Sequence, residues 1–161
     1  MSIVLDLVPH DGWGRQFTPD ELLNLDEYAL AIEAFFADLV FVVNGVDLSW
    51  KDDVSMLHFG RQLFWSAAAL SPNTPEQRFV SPDLVPTWEL VLDPVDDVTI
   101  RRQHLDAAGK CPRAELVREA ARFGIRVHDA FVAAYPAITR NAFFVQWYPL
   151  ERMRAAVQSA S

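Results

Sequence analysis

Cysteine occurs once in the 161 residues of this chain, at Cys111. A single thiol excludes an internal disulfide and any metal site built on several thiolates. Long apolar runs are also missing. Runs such as Leu39 to Val43 fall far short of the roughly 20 residues that a membrane-spanning helix needs. The start, Met1-Ser2-Ile3-Val4-Leu5-Asp6, has no basic leader and carries an acid where a secretory signal would be apolar, so a cytoplasmic chain is expected. Glycine is scarce, at six residues. Gly12-Trp13-Gly14 lacks both the run of glycines and the helix start of a phosphate-binding loop.

Bases are the scarcest feature of the first part of the chain. Residues 1–60 hold 11 acids and two bases, Arg15 and Lys51. Residues 61–100 hold six acids and two bases, and residues 101–161 hold five acids and ten bases, giving −9, −4 and +5 and the net −8. A negative total argues against nucleic acid or an anionic membrane as the main partner. Two arrangements fit the asymmetry. The acidic and basic parts face each other or form solvated surfaces, or the acidic part steers a basic partner.

What the chain does have is apolar bulk. Hydrophobic residues make up 51% and charged residues 22%, with five Trp and eleven Phe, which predicts one packed α+β domain over 1–161 with a ring-built core. Residues 3–8 have strand composition and stop at Pro9. Thr18-Pro19-Asp20-Glu21 has the form of a helix start, with Thr as N-cap, Pro in the first turn and acids against the dipole. Tyr28 to Ala37 fits either a helix, with Tyr28, Ile32 and Phe35/Phe36 on one face, or strand, and the stretch 28–43 is expected to be mostly strand. Asn44-Gly45 then marks a hairpin, returning through 46–50.

From Val54 the period turns helical and ends before Ser71-Pro72. Residues 78–80 suggest a short strand. Residues 88–92 and 98–102 flank a five-residue turn, and a polar link follows. Leu116, Ala120, Phe123, Val127, Phe131 and Ala134 line one face of a long amphipathic helix over about 112–135, ended by Pro136. The segment 141–148 fits either strand or helix, and 150–157 fits a fraying terminal helix. The expected architecture is an antiparallel sheet with helices packed mainly on one face.

The segment Asp38 to Trp50 followed by the helix from Glu115 to Pro136 resembles, in layout, small uncharacterised bacterial α+β proteins. More loosely, it is similar to immunity proteins that neutralise polymorphic toxins. The resemblance implies an inhibitor-like module and carries no functional residue over.

Residues able to do chemistry are scattered. His10, His58, His104 and His128 form no ligand spacing with Cys111. His58 lies on the central helix, where a hydrogen-bonded structural histidine is the simpler reading. His128 and Asp129 are neighbours on a helix and are expected to point apart. Asp52-Asp53 and Asp96-Asp97 are expected in solvated turns. Arg118, Arg122 and Arg126 form a stripe beside Glu115 and Glu119, as on an exposed helix face. Cys111 precedes a helix start, where a thiolate is stabilised, although no histidine adjoins it in sequence.

These features predict a non-enzymatic protein-binding module of the immunity type, without cofactor or metal. Its acidic amino-terminal half would occlude a basic toxin or other cationic protein through Asp38, Asp47, Trp50, Asp52 and Asp53, with acids steering and the ring anchoring. A second reading is a small-ligand protein or an enzyme with a pocket between sheet and helix near His58 and Trp65. A third is a homo-oligomer formed through the aromatic carboxyl-terminal segment.

Overall fold

The computed structural model describes residues 2–9, 16–80 and 87–159, with the backbone alone at Asp52 and Asp53. The His10 to Gly14 loop and residues 81–86 lie outside the described residues. The first sheet is built from β1 (Ile3–Pro9), β2 (Phe36–Val43), β3 (Val46–Asp47) and β4 (Trp50–Ser55). β2 is its centre, paired antiparallel with β1 on one side and with β3 and β4 on the other. The second sheet is an antiparallel meander of β5 (Glu76–Val80), β6 (Thr87–Leu92), β7 (Asp97–Arg102) and β8 (Ala108–Pro112). The helices are α1 (Pro19–Leu22), α2 (Met56–Ala69), α3 (Arg113–Ala134), α4 (Ala142–Trp147) and α5 (Leu150–Gln158).

Local chemistry explains most of these boundaries. Thr18 accepts from the Glu21 N–H, and the Glu21 carboxylate accepts from the Thr18 N–H at 2.8 Å, a reciprocal cap that opens α1. Alternation in β2 buries Ala37, Leu39, Phe41 and Val43, leaving Asp38, Val40 and Val42 on the other face. α3 buries Leu116, Ala120, Phe123, Val127 and Phe131, as its period requires. Ala134, at its end, is exposed.

Helices α2 and α3 cover the inner faces of both sheets. The Phe59 ring on α2 meets Phe41 of the first sheet, Phe79 and Trp88 of the second, and Phe123 of α3, with centroids 4.9–6.3 Å apart. Edge-to-face rings at this spacing add to the burial of their area. Where α2 crosses α3, Gly60 and Gly124 approach, and the Tyr148 hydroxyl donates to the Gly124 carbonyl at 2.9 Å.

Three expectations are corrected, and the choice left open at 141–148 is decided. Residues 28–33 are helical, a π turn spanning Ala29–Glu33, and the strand begins only at Phe36. Asp26 starts that turn by accepting from the Ala29 N–H at 3.0 Å. The reversal into β2 is made at the buried Phe35, whose φ of 61° sends its ring onto Phe131. The polar link after β7 contains β8, which completes the second sheet. Residues 141–148 form α4. Finally, α5 is held down rather than fraying, because Met153 is fully buried against Gly124.

Candidate functional site

Two surfaces emerge from this frame. The first is the outer face of the first sheet. The register sets Val4 opposite Val42, Asp6 opposite Val40 and Val8 opposite Asp38, with Asp47 opposite Val42. Val4 and Val8 are 47% and 51% exposed, and Val40 and Val42 are half-buried. A solvated sheet face is ordinarily polar. This one is a valine stripe set among aspartates.

Asp47 is fixed in place and charge. Its carboxylate accepts from the Ser49 N–H at 2.9 Å, and hydrogen bonds from the Ser49 hydroxyl and backbone hold it below the ordinary carboxylate value. The same hydroxyl oxygen accepts from the Phe41 N–H of β2 at 2.9 Å.

Part of the β1 edge of this sheet is already occupied. The Leu5 carbonyl accepts from the Arg126 guanidinium of α3, the Leu7 N–H donates to the Asp6 carboxylate at 2.9 Å, and Pro9 has no N–H. Occupied or missing edge groups are how sheets avoid unwanted pairing.

The five residues expected to meet a partner do not form one patch. Asp38 and Asp47 share the outer face, but Trp50 pairs with the inward-facing Leu39. Its ring is half-buried, with the Arg102 guanidinium 5.0 Å above it. Asp52 and Asp53 lie on β4 rather than in a turn. The ladder passes from Leu39–Trp50 to Ala37–Val54, so β4 bulges over that stretch. Of the other acidic pair, Asp96 is in a turn but Asp97 begins β7.

The acids around that turn meet bases of the carboxyl-terminal third. Lys110 reaches Asp93 at 2.6 Å and Asp97 at 3.5 Å, and Arg113 reaches Asp96 at 2.7 Å. The hydrogen bond between Asp93 and Lys110 lowers the acid's pKa and raises the base's.

The second surface is a groove of about 510 Å³ between α2, α3, α4 and α5. Trp65 lines it, as expected, but its histidine is His128 and not His58. The His58 Nε2 sits 3.3 Å from the Val80 carbonyl at the β5 edge, and burial lowers its pKa. His128 stacks on Phe144 at 5.6 Å, and its Nδ1 lies 3.0 Å from the Asp129 carboxylate. The expectation that these helix neighbours point apart is thereby corrected, since the short Asp side chain reaches across.

Asn141 sets the position of α4. Its amide donates to the Leu22 and Leu25 carbonyls at 2.8 and 3.0 Å, while its oxygen accepts from the Phe144 N–H at 3.0 Å. Trp147 is fastened by Glu27, which accepts from its indole N–H at 3.2 Å, and by Arg61, whose guanidinium lies 4.9 Å above its ring.

Cys111 is buried in β8, and desolvation, with Glu115 and Asp97 nearby, pushes its thiol up to about 12. Burial outweighs the nearby helix start, so the thiol stays protonated at neutral pH. On α3, Arg122 and Arg118 both turn to Glu119, at 2.6 and 3.7 Å. Among the described residues, no group of three or more His, Cys, Asp or Glu is placed to hold a metal ion, and no helix is long and apolar enough to cross a membrane.

The fold thus defines an α+β protein with two antiparallel sheets joined by a pair of crossing helices. No family model, curated protein or solved structure matches the chain.

Proposed function

We propose that this chain is a non-enzymatic protein-binding module, an immunity-type inhibitor that takes a basic protein on the outer face of its first sheet. The observation that carries the reading is the valine stripe of Val4, Val8, Val40 and Val42 interleaved with Asp6, Asp38 and Asp47. Half-exposed valines supply apolar area that a partner can cover. The aspartates, in a segment of net −9, favour a cationic partner and speed its approach. Trp50, engaged by Arg102, is replaced in this reading by the valines as the anchor.

The test is binding kinetics between the immobilised chain and the purified product of the neighbouring gene at low and high salt. On-rates should fall as salt rises, and Asp6→Lys with Asp47→Lys should lower them about tenfold at low salt, because steering acts on encounter. Val40→Ser should instead raise the off-rate. Absence of binding would overturn the inhibitor reading. An on-rate indifferent to both salt and charge reversal would leave the acidic face as a solvated surface.

A further inference from the structure

The groove between α2, α3, α4 and α5 lies apart from the acidic sheet face. Trp65, Phe144 and Trp147 give it ring walls. Its volume of about 510 Å³ falls within the roughly 300–1,000 Å³ typical of small-molecule sites. The polar groups in its lining divide into those already engaged and those left open. Glu151 is held by Arg154 at 2.7 Å, the Thr139 hydroxyl donates to the Pro136 carbonyl at 2.9 Å, and the Tyr148 hydroxyl is committed to Gly124.

Arg152 and His128 differ from these. The Arg152 guanidinium carbon lies over the Trp65 ring, 4.8 Å from its centroid, and the group is paired with no carboxylate among the described residues. A guanidinium carries its N–H donors in a planar fork that can grip a carboxylate by two bonds. Asp129 occupies His128 Nδ1, which fixes the ring and leaves Nε2 for a ligand. The imidazole is packed flat on Phe144, so it has little freedom to turn away.

From an unpaired cation, a held imidazole and ring walls in one groove, we infer that this is a binding site for a small carboxylate with an aromatic body. The carboxylate would sit on Arg152 beside His128, and the ring would lie against Trp65. This inference is independent of the partner proposed for the sheet face.

Titration of the full chain with 1-naphthoate and its neutral analogue 1-naphthamide, by calorimetry and by tryptophan fluorescence, tests it. Naphthoate should bind one to one and saturably. The amide should bind about tenfold more weakly, and Arg152→Gln should cost naphthoate about tenfold while leaving the amide unchanged, in line with a charge-assisted contact. Arg152 is exposed, so this variant should keep the wild-type melting temperature. His128→Gln, whose folding is checked by the same melt, should weaken naphthoate as well. No saturable binding, equal affinity for acid and amide, or an Arg152→Gln variant with undiminished affinity would overturn the assignment.

Discussion

Gly109 sits where the two sheets meet, and adding one methyl group there should loosen the joint. A Cβ at this position would lie 2.5 Å from Val43 Cβ and 3.0 Å from its Cγ1. Carbon atoms pack at about 3.5–4.0 Å, so the pair must separate by about 1 Å. Rotating Val43 does not help, because its Cβ is fixed to the backbone of the central strand β2. That backbone is tied on one side to β1 and at the turn to β8, where the Asn44 amide donates to the Lys110 carbonyl. The relief therefore has to come from moving one sheet against the other.

Overpacking of this kind costs about 1–3 kcal/mol, and the absence of a rotamer solution puts Gly109→Ala in the upper half. Loss of unfolded-chain freedom returns about 0.4–1 kcal/mol, for a net loss of about 2 kcal/mol. For a chain of this size that lowers Tm by about 4–8 °C. Calorimetry and urea melts measure both quantities. A double-mutant cycle with Val43→Gly, which removes the colliding Cβ, tests the cause, since colliding residues must couple by more than about 0.5 kcal/mol. A Gly109→Ala variant melting within about 1 °C of wild type, or additive effects in the cycle, would refute the collision argument.

Phe123→Ala should lose about 3–5 kcal/mol, because the ring is fully buried against Phe59 and its removal opens a cavity; a loss under about 1 kcal/mol in denaturant melts would mean that this face of α3 is not core. The pH dependence of stability should carry a His58 signature. Burial lowers its folded pKa from the ordinary 6.5, so the unfolded chain takes up the proton first, and stability present above pH 6.5 is lost as pH falls below it. His58→Gln should flatten urea midpoints between about pH 5 and 6.5. The lowered carboxylates Asp47 and Asp93 act only below their ordinary 3.8, so an unchanged slope in the variant would remove His58 as the cause.

Where the pattern of side chains alone determines local structure, the sequence was informative. The Thr18 cap, the Asn44-Gly45 hairpin, the 88–102 hairpin and the buried stripe of α3 all follow from turn chemistry and periodicity. It misled where tertiary packing decides. Ala108-Gly109-Lys110-Cys111-Pro112 has no strand composition, yet β7 recruits it into a ladder that buries Gly109 and Cys111. Residues 28–33 carry a helical signal of their own, since Asp26 stands three residues before Ala29 as a cap and Ala29 and Ala31 favour helix. The groove was only half legible. Trp65 belongs to it, but His128 reaches it from a helix 63 positions further along, a juxtaposition that only the crossing of α2 over α3 creates.

The state of the β1 edge bears on how the first sheet can engage a partner at all. Strand addition would need the Leu5 carbonyl and Leu7 N–H, and both are already bonded, to Arg126 and to Asp6. These bonds favour, for the proposed partner, side chains on the face over backbone on the edge. Backbone pairing would tolerate almost any extended segment, whereas a face of alternating valine and aspartate discriminates by charge and shape. Arg126 thus has a consequence beyond holding α3 to β1. In the proposed reading, its bond to the Leu5 carbonyl favours the acidic face as the surface that would meet a cationic protein.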